Sequence, residues 1–259
     1  MIPRIYWEEH GAGEPLLLIT GLGYTLQMWH RTLPAVSRHF RTIVFDNRGV
    51  GKSAAPPGPY TIVEMAADAA TVLDAAQVER AHVYGVSMGG MIAQELALQY
   101  PGRVRSLVLG CTACGGPHAV RAEQGAIEVL KSQGKMGIEE SLTAAIPYIY
   151  YPDTPRERIE EDLAIRRENF PHPAAYQAQL QAVLTWKSHE RLSQIQVPTL
   201  VIHGESDRLV PAGNGKLIAE SIRGAQLTLL PHASHIYSTD QPEAAQETVL
   251  SFLLRTIRR

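Results

Sequence analysis

Val83-Tyr84-Gly85-Val86-Ser87-Met88-Gly89-Gly90 decides how this chain is read: an apolar run ends in Gly-x-Ser-x-Gly and opens a helix. A sharp strand-to-helix turn lifts a serine hydroxyl clear of a sheet edge only if its neighbours leave room. Gly85 and Gly89 have no Cβ, so they tolerate the strained dihedrals and close backbone approach that such a turn needs. The same turn aims a helix N-terminus and the Met88 amide at a point where negative charge can develop. A glycine-flanked serine by itself is only a turn, so the context has to carry the reading. Ala81 to Tyr84 is β-prone, and Met91, Ile92, Gln94, Glu95, Ala97 and Leu98 make a helix that Tyr100-Pro101-Gly102 ends. Strand, elbow and helix follow in the order the motif requires.

Outward from the elbow, short apolar runs alternate with helix-patterned stretches, which predicts a parallel sheet with crossover helices. Leu16–Ile19, Thr42–Phe45, Ala81–Tyr84, Ser106–Leu109, Thr199–Ile202 and Leu227–Leu230 read as strands. Their continuous hydrophobicity suits strands covered on both faces. One helix begins at a Thr61-x-x-Glu64 capping box and carries Ile62, Met65, Ala66, Ala69, Leu73 and Ala76 along one stripe. The last opens near Asp240-Gln241-Pro242 and buries Ala245, Val249, Phe252 and Leu253. Between Cys114 and Leu192 the alternation stops, and helical patterns are interrupted at Pro147, Pro152, Pro155, Pro171 and Pro173. Residues 1–113 and 193–259 therefore read as one α/β core, and 114–192 as a helical insertion over the C-terminal edge of the sheet.

Sites in open α/β sheets form outside the carboxyl ends of the strands. After Thr199–Ile202 come His203-Gly204-Glu205-Ser206-Asp207, and after Leu227–Leu230 come Pro231-His232-Ala233-Ser234-His235. A carboxylate and a histidine thus follow consecutive strands downstream of Ser87, in the order Ser, Asp, His. A serine hydroxyl needs an imidazole to take its proton, and a carboxylate to fix the tautomer and stabilise the imidazolium. Asp207 is preferred over Glu205 because it lies further out on its loop. His235 is preferred over His232, which sits at the strand end. His10, His82 and His203 read as structural or surface residues. A second amide donor for an oxyanion is expected in Thr20-Gly21-Leu22-Gly23-Tyr24, with Leu22 paired to Met88.

Other patterns dissolve on inspection. Gly21-x-Gly23 lacks the third glycine of a dinucleotide fingerprint, since that position holds Leu26. Gly51-Lys52-Ser53 resembles the end of a phosphate loop, but Asp46 occupies the first glycine position and Pro56, Pro57 and Pro59 replace the helix. Asp46 to Ser53 is better taken as a structural turn in which Asp46 and Arg48 make internal hydrogen bonds. Cys111 and Cys114 have no second ligand pair for zinc and read as reduced thiols beside a strand. No cofactor and no metal is implied.

The 259 residues include 45% hydrophobic and 19% charged side chains, with a formal net charge of -2, which gives no nucleic-acid footprint. Arg255, Arg258 and Arg259 form the only basic cluster, placed to complement the dipole of the last helix. No apolar run approaches the ~20 residues needed to span a bilayer, and the first residues lack a signal-peptide apolar stretch, so a cytoplasmic protein without membrane contact is expected. Homo-oligomerisation is left open.

Taken jointly, the elbow at Ser87, Asp46-x-Arg48-Gly49-x-Gly51-x-Ser53, Pro101-x-Arg103-Val104, Gly204-x-x-Asp207 and the His235 region resemble the α/β-hydrolase superfamily over nearly the whole chain. The likeness is to capped bacterial serine hydrolases: carboxylesterases, enol-lactonases and cofactor-free perhydrolases. It implies the α/β-hydrolase fold, a mostly parallel central sheet with helices on both faces and a helical cap. It also implies that the nucleophile, base, acid and oxyanion roles fall on Ser87, His235, Asp207, and Leu22 with Met88. Thr20 departs from the histidine that many relatives carry before the oxyanion glycine. The activity expected is hydrolysis of small to medium, largely apolar carboxylic esters through an acyl-enzyme. Lactone opening, perhydrolysis and carbon–carbon bond hydrolysis are alternatives for the same residues, and a small-molecule receptor on this scaffold is a reading from another class. Ser87 argues against the aspartate nucleophile of dehalogenases and epoxide hydrolases. Ile146, Ile149, Leu180, Leu184 and Trp186 suggest a hydrophobic acyl or alcohol group.

Overall fold

A computed structural model describes residues 3–133 and 135–257. Seven strands form one sheet: β1 (Trp7–His10), β2 (Glu14–Ile19), β3 (Phe40–Phe45), β4 (Ala81–Val86), β5 (Val104–Gly110), β6 (Thr199–Gly204) and β7 (Gln226–Leu230). The spatial order is β1-β3-β2-β4-β5-β6-β7, with β1 antiparallel to β3 and every other pairing parallel. The helices are α1 (Leu33–Val36), α2 (Ile62–Ala75), α3 (Met88–Gln99), α4 (Gln124–Ser132), α5 (Ile138–Ile149), α6 (Arg156–Glu168), α7 (Pro173–Thr185), α8 (Gly213–Ser221), α9 (Tyr237–Asp240) and α10 (Pro242–Ile257).

The six strands expected from apolar runs are present, and β1 is the addition. Its sequence, Trp-Glu-Glu-His, offers no apolar run because it lies at the sheet margin, where only β3 covers it. Charged side chains on such an edge discourage pairing with other chains. Within the inner strands, successive side chains point to opposite faces and feed two separate cores. Leu17, Ile19, Val83, Leu107, Leu109 and Val201 pack with Met65 and Leu73 of α2, Ile92 and Leu96 of α3, and Ile218 of α8. Leu16, Leu18, Tyr84, Val108, Leu200 and Ile202 pack with Trp29 and with Val249, Phe252 and Leu253 of α10. This is why those strands read as unbroken hydrophobic runs.

The capping box forms as expected: the Glu64 amide donates to Thr61 Oγ1 at 3.1 Å, and the Thr61 amide donates to Glu64 Oε2 at 3.0 Å. Among the described residues, the segment between β5 and β6 adds helices α4 to α7 and no strand of the sheet. They form a third cluster of Leu142, Ala145, Ile149, Tyr150, Ile159 and Leu163. Pro147 does not interrupt the helix there. α5 runs through it and ends two residues later, at Ile149. Arg258 and Arg259 lie outside the described residues, and Arg255 ends α10 in its last turn.

The turn after β3 is structural. Asp46 accepts from the Leu26 amide at 2.8 Å and from the Lys52 amide at 2.9 Å. Arg48 donates twice to the buried Asp68 carboxylate, at 2.6 and 2.9 Å. Desolvating two charges makes such a pair a weak net stabiliser, but removing one partner strands the other. Asp68→Ala is therefore expected to lower stability by about 3–5 kcal/mol, read as a reduced urea midpoint. A loss below about 1 kcal/mol would mean that the exposed Glu64, 3.5 Å from Arg48, suffices for the guanidinium.

Candidate active site

Strand order reverses around β2: the chain passes from β2 out to β3, then returns to β4 on the other side of β2. A crevice opens at that reversal, beyond the carboxyl ends of β2 and β4. Ser87 follows β4 directly, and Thr20-Gly21-Leu22 follows β2.

Ser87 has φ 55° and ψ −121°, so the strain of the elbow falls on the serine itself. The flanking glycines serve close approach instead. A Cβ on Gly85 would lie 2.2 Å from the Gly89 carbonyl oxygen, and one on Gly89 would lie 2.1 Å from that of Ile19. The turn is anchored on both sides. The Ser87 amide donates to the Gly110 carbonyl at 2.8 Å, and Thr112 Oγ1 donates to the Ser87 carbonyl at 2.7 Å.

The imidazole of His235 lies between Ser87 and Asp207. Its Nδ1 is 2.8 Å from Asp207 Oδ2 and its Nε2 is 3.1 Å from Ser87 Oγ. A carboxylate can only accept, so Nδ1 carries the proton and Nε2 presents its lone pair to the serine. The alternatives Glu205 and His232 are exposed, and the His232 ring meets the Tyr151 hydroxyl at 3.1 Å. The loop holding His235 is fixed by the Ser234 amide on Asp240 Oδ2 at 2.6 Å and the Ile236 amide on the Ile149 carbonyl at 2.8 Å.

Asp207 is held at both oxygens. Oδ1 accepts from the Leu209 and Val210 amides at 2.9 and 2.7 Å, while Oδ2 faces His235 and, at 3.3 Å, His203 Nε2. Burial would raise the Asp207 pKa, but the charge of His235 and the hydrogen bonds from His203 and His235 hold it below its ordinary 3.8. For His235, burial opposes the charged form, yet the Asp207 carboxylate, with Cys111 adding to it, raises the pKa well above the ordinary 6.5. A hydroxyl, imidazole and ionised carboxylate in series are the arrangement through which an imidazole takes up a serine proton during attack.

Leu22 and Met88 border the same cavity as Ser87 and His235. Neither backbone N–H has an acceptor among the described residues. Thr20, which departs from the histidine, braces this loop: its hydroxyl donates to the Tyr24 carbonyl at 3.2 Å and accepts from Asn47 Nδ2 at 3.1 Å.

Four contributors lack an obvious sequence signal or carry a misleading one. His203, expected to be merely structural, touches the carboxylate; its place just before Gly204-x-x-Asp207 is the clue that was available. Cys111, expected only beside a strand, borders the cavity, and both cysteines are free and buried. Gln179 of α7 takes the Gly23 amide at 2.8 Å and donates to the Arg48 carbonyl at 2.8 Å. Arg166 of α6 also lines the cavity and donates to the Gly23 carbonyl. Both contacts arise across more than 130 residues of chain, beyond any local pattern.

The upper wall of the cavity comes from the helices between β5 and β6, through Ala126, Val129, Tyr148, Ile149 and Val183. Of the five apolar residues expected to shape a substrate group, only Ile149 is among the lining residues. Trp186 instead donates to Glu95 at 2.7 Å, and Leu184 is 57% exposed. Lys187 pairs with Gly115 and does not border the cavity. Among the described residues no helix is long and apolar enough to cross a membrane, and no cluster of three or more His, Cys, Asp or Glu could hold a metal ion.

Residues 14–134 match the family described as alpha/beta hydrolase fold. A protein of Azorhizobium caulinodans named as a carbamate hydrolase, RutD, is 36% identical, covering 96% of this chain and 94% of its own. The crystal structure of a hydrolase from Pseudomonas aeruginosa PA01 aligns with TM-score 0.84 at 34% identity, covering 96% of this chain and 94% of that one. That of the enol-lactonase from Burkholderia xenovorans LB400 aligns with TM-score 0.87 at 29% identity, covering 97% of each chain. The chain belongs to the α/β hydrolase family and is a hydrolase.

Proposed function

We propose that this hydrolase cleaves carboxylic esters of small to medium, largely apolar substrates through a covalent acyl-enzyme on Ser87. The observation that carries the reading is the placement of His235 within hydrogen-bond reach of Ser87 Oγ, at 3.1 Å, and of Asp207, at 2.8 Å. Ser87 Oγ attacks the ester carbonyl carbon while its proton passes to His235 Nε2. The Leu22 and Met88 amides, together with the positive end of α3, stabilise the oxyanion of the tetrahedral intermediate. Collapse expels the alkoxide, which takes the proton from His235 Nε2 and leaves as the alcohol. Water then gives a proton to His235 and attacks the acyl carbon. The second intermediate releases the acid and returns a proton to Ser87. Asp207 keeps its charge throughout and holds the ring in the productive tautomer.

The helices of residues 114–192 act in this reading as a cap, since they supply the apolar wall above Ser87. A cyclic ester is a second reading, favoured by the likeness to the Burkholderia xenovorans enol-lactonase across 97% of the chain. The attack is the same, but the leaving alkoxide stays tethered to the acyl group. Rates on linear esters and lactones of matched size decide between the two.

Ser87→Ala is expected to fold with stability changed by no more than about 1 kcal/mol and to lose turnover of p-nitrophenyl acetate and butyrate by on the order of 10⁵-fold. Turnover retained by the variant would place the chemistry elsewhere. The pH dependence follows from His235. Its neutral form is the base, and its pKa is raised above 6.5, so kcat/KM should climb with pH along a limb displaced to the alkaline side of that value. A profile already flat above pH 6 would remove His235 from the role of base.

A further inference from the structure

Arg166 is buried, with 6% exposure, yet no carboxylate lies within salt-bridge distance among the described residues. Asp162, one turn earlier on the same side of α6, is already engaged. It meets Arg31 at 3.2 Å, His30 at 3.3 Å, the Tyr150 hydroxyl at 3.2 Å and the Thr239 hydroxyl at 2.6 Å. The guanidinium of Arg166 stacks on Tyr24 at 4.1 Å and on Phe170 at 5.2 Å. Its one hydrogen-bond acceptor among the described residues is the Gly23 carbonyl, which leaves most of its N–H fork without a partner. Burial lowers its pKa, and the groups that favour its charge are the tyrosines Tyr24, Tyr176 and Tyr150 rather than any acid. A buried cation lacking a counter-ion is costly unless a ligand supplies one.

The position of this cation sets what that ligand can be. Arg166 and Ser87 border the same cavity, and a single loop links them. A Cβ on Gly21 would touch the Ser87 side chain at 3.3 Å, whereas Gly23 bonds Arg166. Two peptide units span at most about 7.6 Å between those glycines. A planar guanidinium recognises a carboxylate through paired N–H bonds. The rest of the lining is mainly apolar, including Met28, Val86, Val129, Ile149 and Val183.

We infer that Arg166 binds a carboxylate on the substrate, so that the preferred substrates are esters or lactones of short dicarboxylic acids, with methylenes between the charged end and the carbonyl attacked by Ser87. The inference rests on the hydrolytic reading of Ser87 and refines it from apolar esters in general to esters with one anionic end. Arg166 also supports the Gly23 carbonyl, so the test has to separate recognition from support of the loop.

Monomethyl glutarate and methyl pentanoate have acyl chains of equal length and differ by a carboxylate in place of a methyl group. Acid release by the whole enzyme, followed in a pH-stat, is expected to give a kcat/KM about tenfold or more higher for the glutarate ester. In Arg166→Met the ratio of the glutarate to the pentanoate value should fall by about tenfold, whatever loss the missing Gly23 contact imposes on both esters. Equal preference in the wild-type enzyme, or an equal loss on both esters in the variant, would leave Arg166 only its loop contact and overturn the inference. If neither ester is cleaved, the ester reading fails, and calorimetric titration of Ser87→Ala with glutarate decides the anion site independently. Saturable binding lost in Ser87→Ala/Arg166→Met supports it, whereas absence of binding to Ser87→Ala overturns it. Arg166→Lys, which keeps the charge in a smaller side chain, guards against misfolding of the methionine variant and should recover part of the glutarate preference.

Discussion

The contact between the first turn of α3 and the end of β2 governs the site. Gly89 sits so close to the Ile19 and Thr20 carbonyls that a methyl group there would overlap both. That approach lays the N-terminus of α3 beside the loop Gly21–Gly23, where the reversal of strand order has opened a crevice. The positive end of a helix and a loop of outward amides then face one volume. Ser87 accepts a left-handed backbone conformation because its amide and carbonyl are both bonded, to Gly110 and Thr112. The strain is local and is held by the surrounding sheet.

Electrostatics complete what the backbone begins. Asp207 is buried, yet two amides and two imidazoles surround its oxygens, so its charge is kept without bulk water. That charge in turn makes the neighbouring imidazole a stronger base than a free histidine. His203 adds a fourth contact, its one Nε2 proton being shared between the Val210 carbonyl at 2.7 Å and the carboxylate at 3.3 Å. The same logic, inverted, marks Arg166, to which the described residues offer aromatic faces and a carbonyl but no negative charge.

Legibility in the sequence tracks how local the cause of each feature is. Strands covered on two faces must be apolar at every position, so Leu16–Ile19 and Thr199–Ile202 announce themselves. Glu8 and Glu9 lie at the margin, obey no such demand, and β1 goes unseen. The elbow is legible because steric exclusion leaves glycine alone at residues 85 and 89. The preferences for Asp207 and His235 over Glu205 and His232 agree with which side chains point inward. Gln179 and Arg166 were invisible, because their significance arises only when α6 and α7 fold back on the loop after β2. At Pro147 the expected break and the observed one differ by little, since α5 runs only two residues past the proline before it stops.

Gln179 joins these elements through one carboxamide. Its oxygen receives Gly23 and its nitrogen reaches the Arg48 turn, while its own backbone belongs to α7. Floor and roof of the cavity are thereby riveted together at this side chain. Near that rivet, the amide-bearing ledge cannot be nudged without dragging the overlying helix along, so an incoming molecule meets a seat whose parts shift together or stay put.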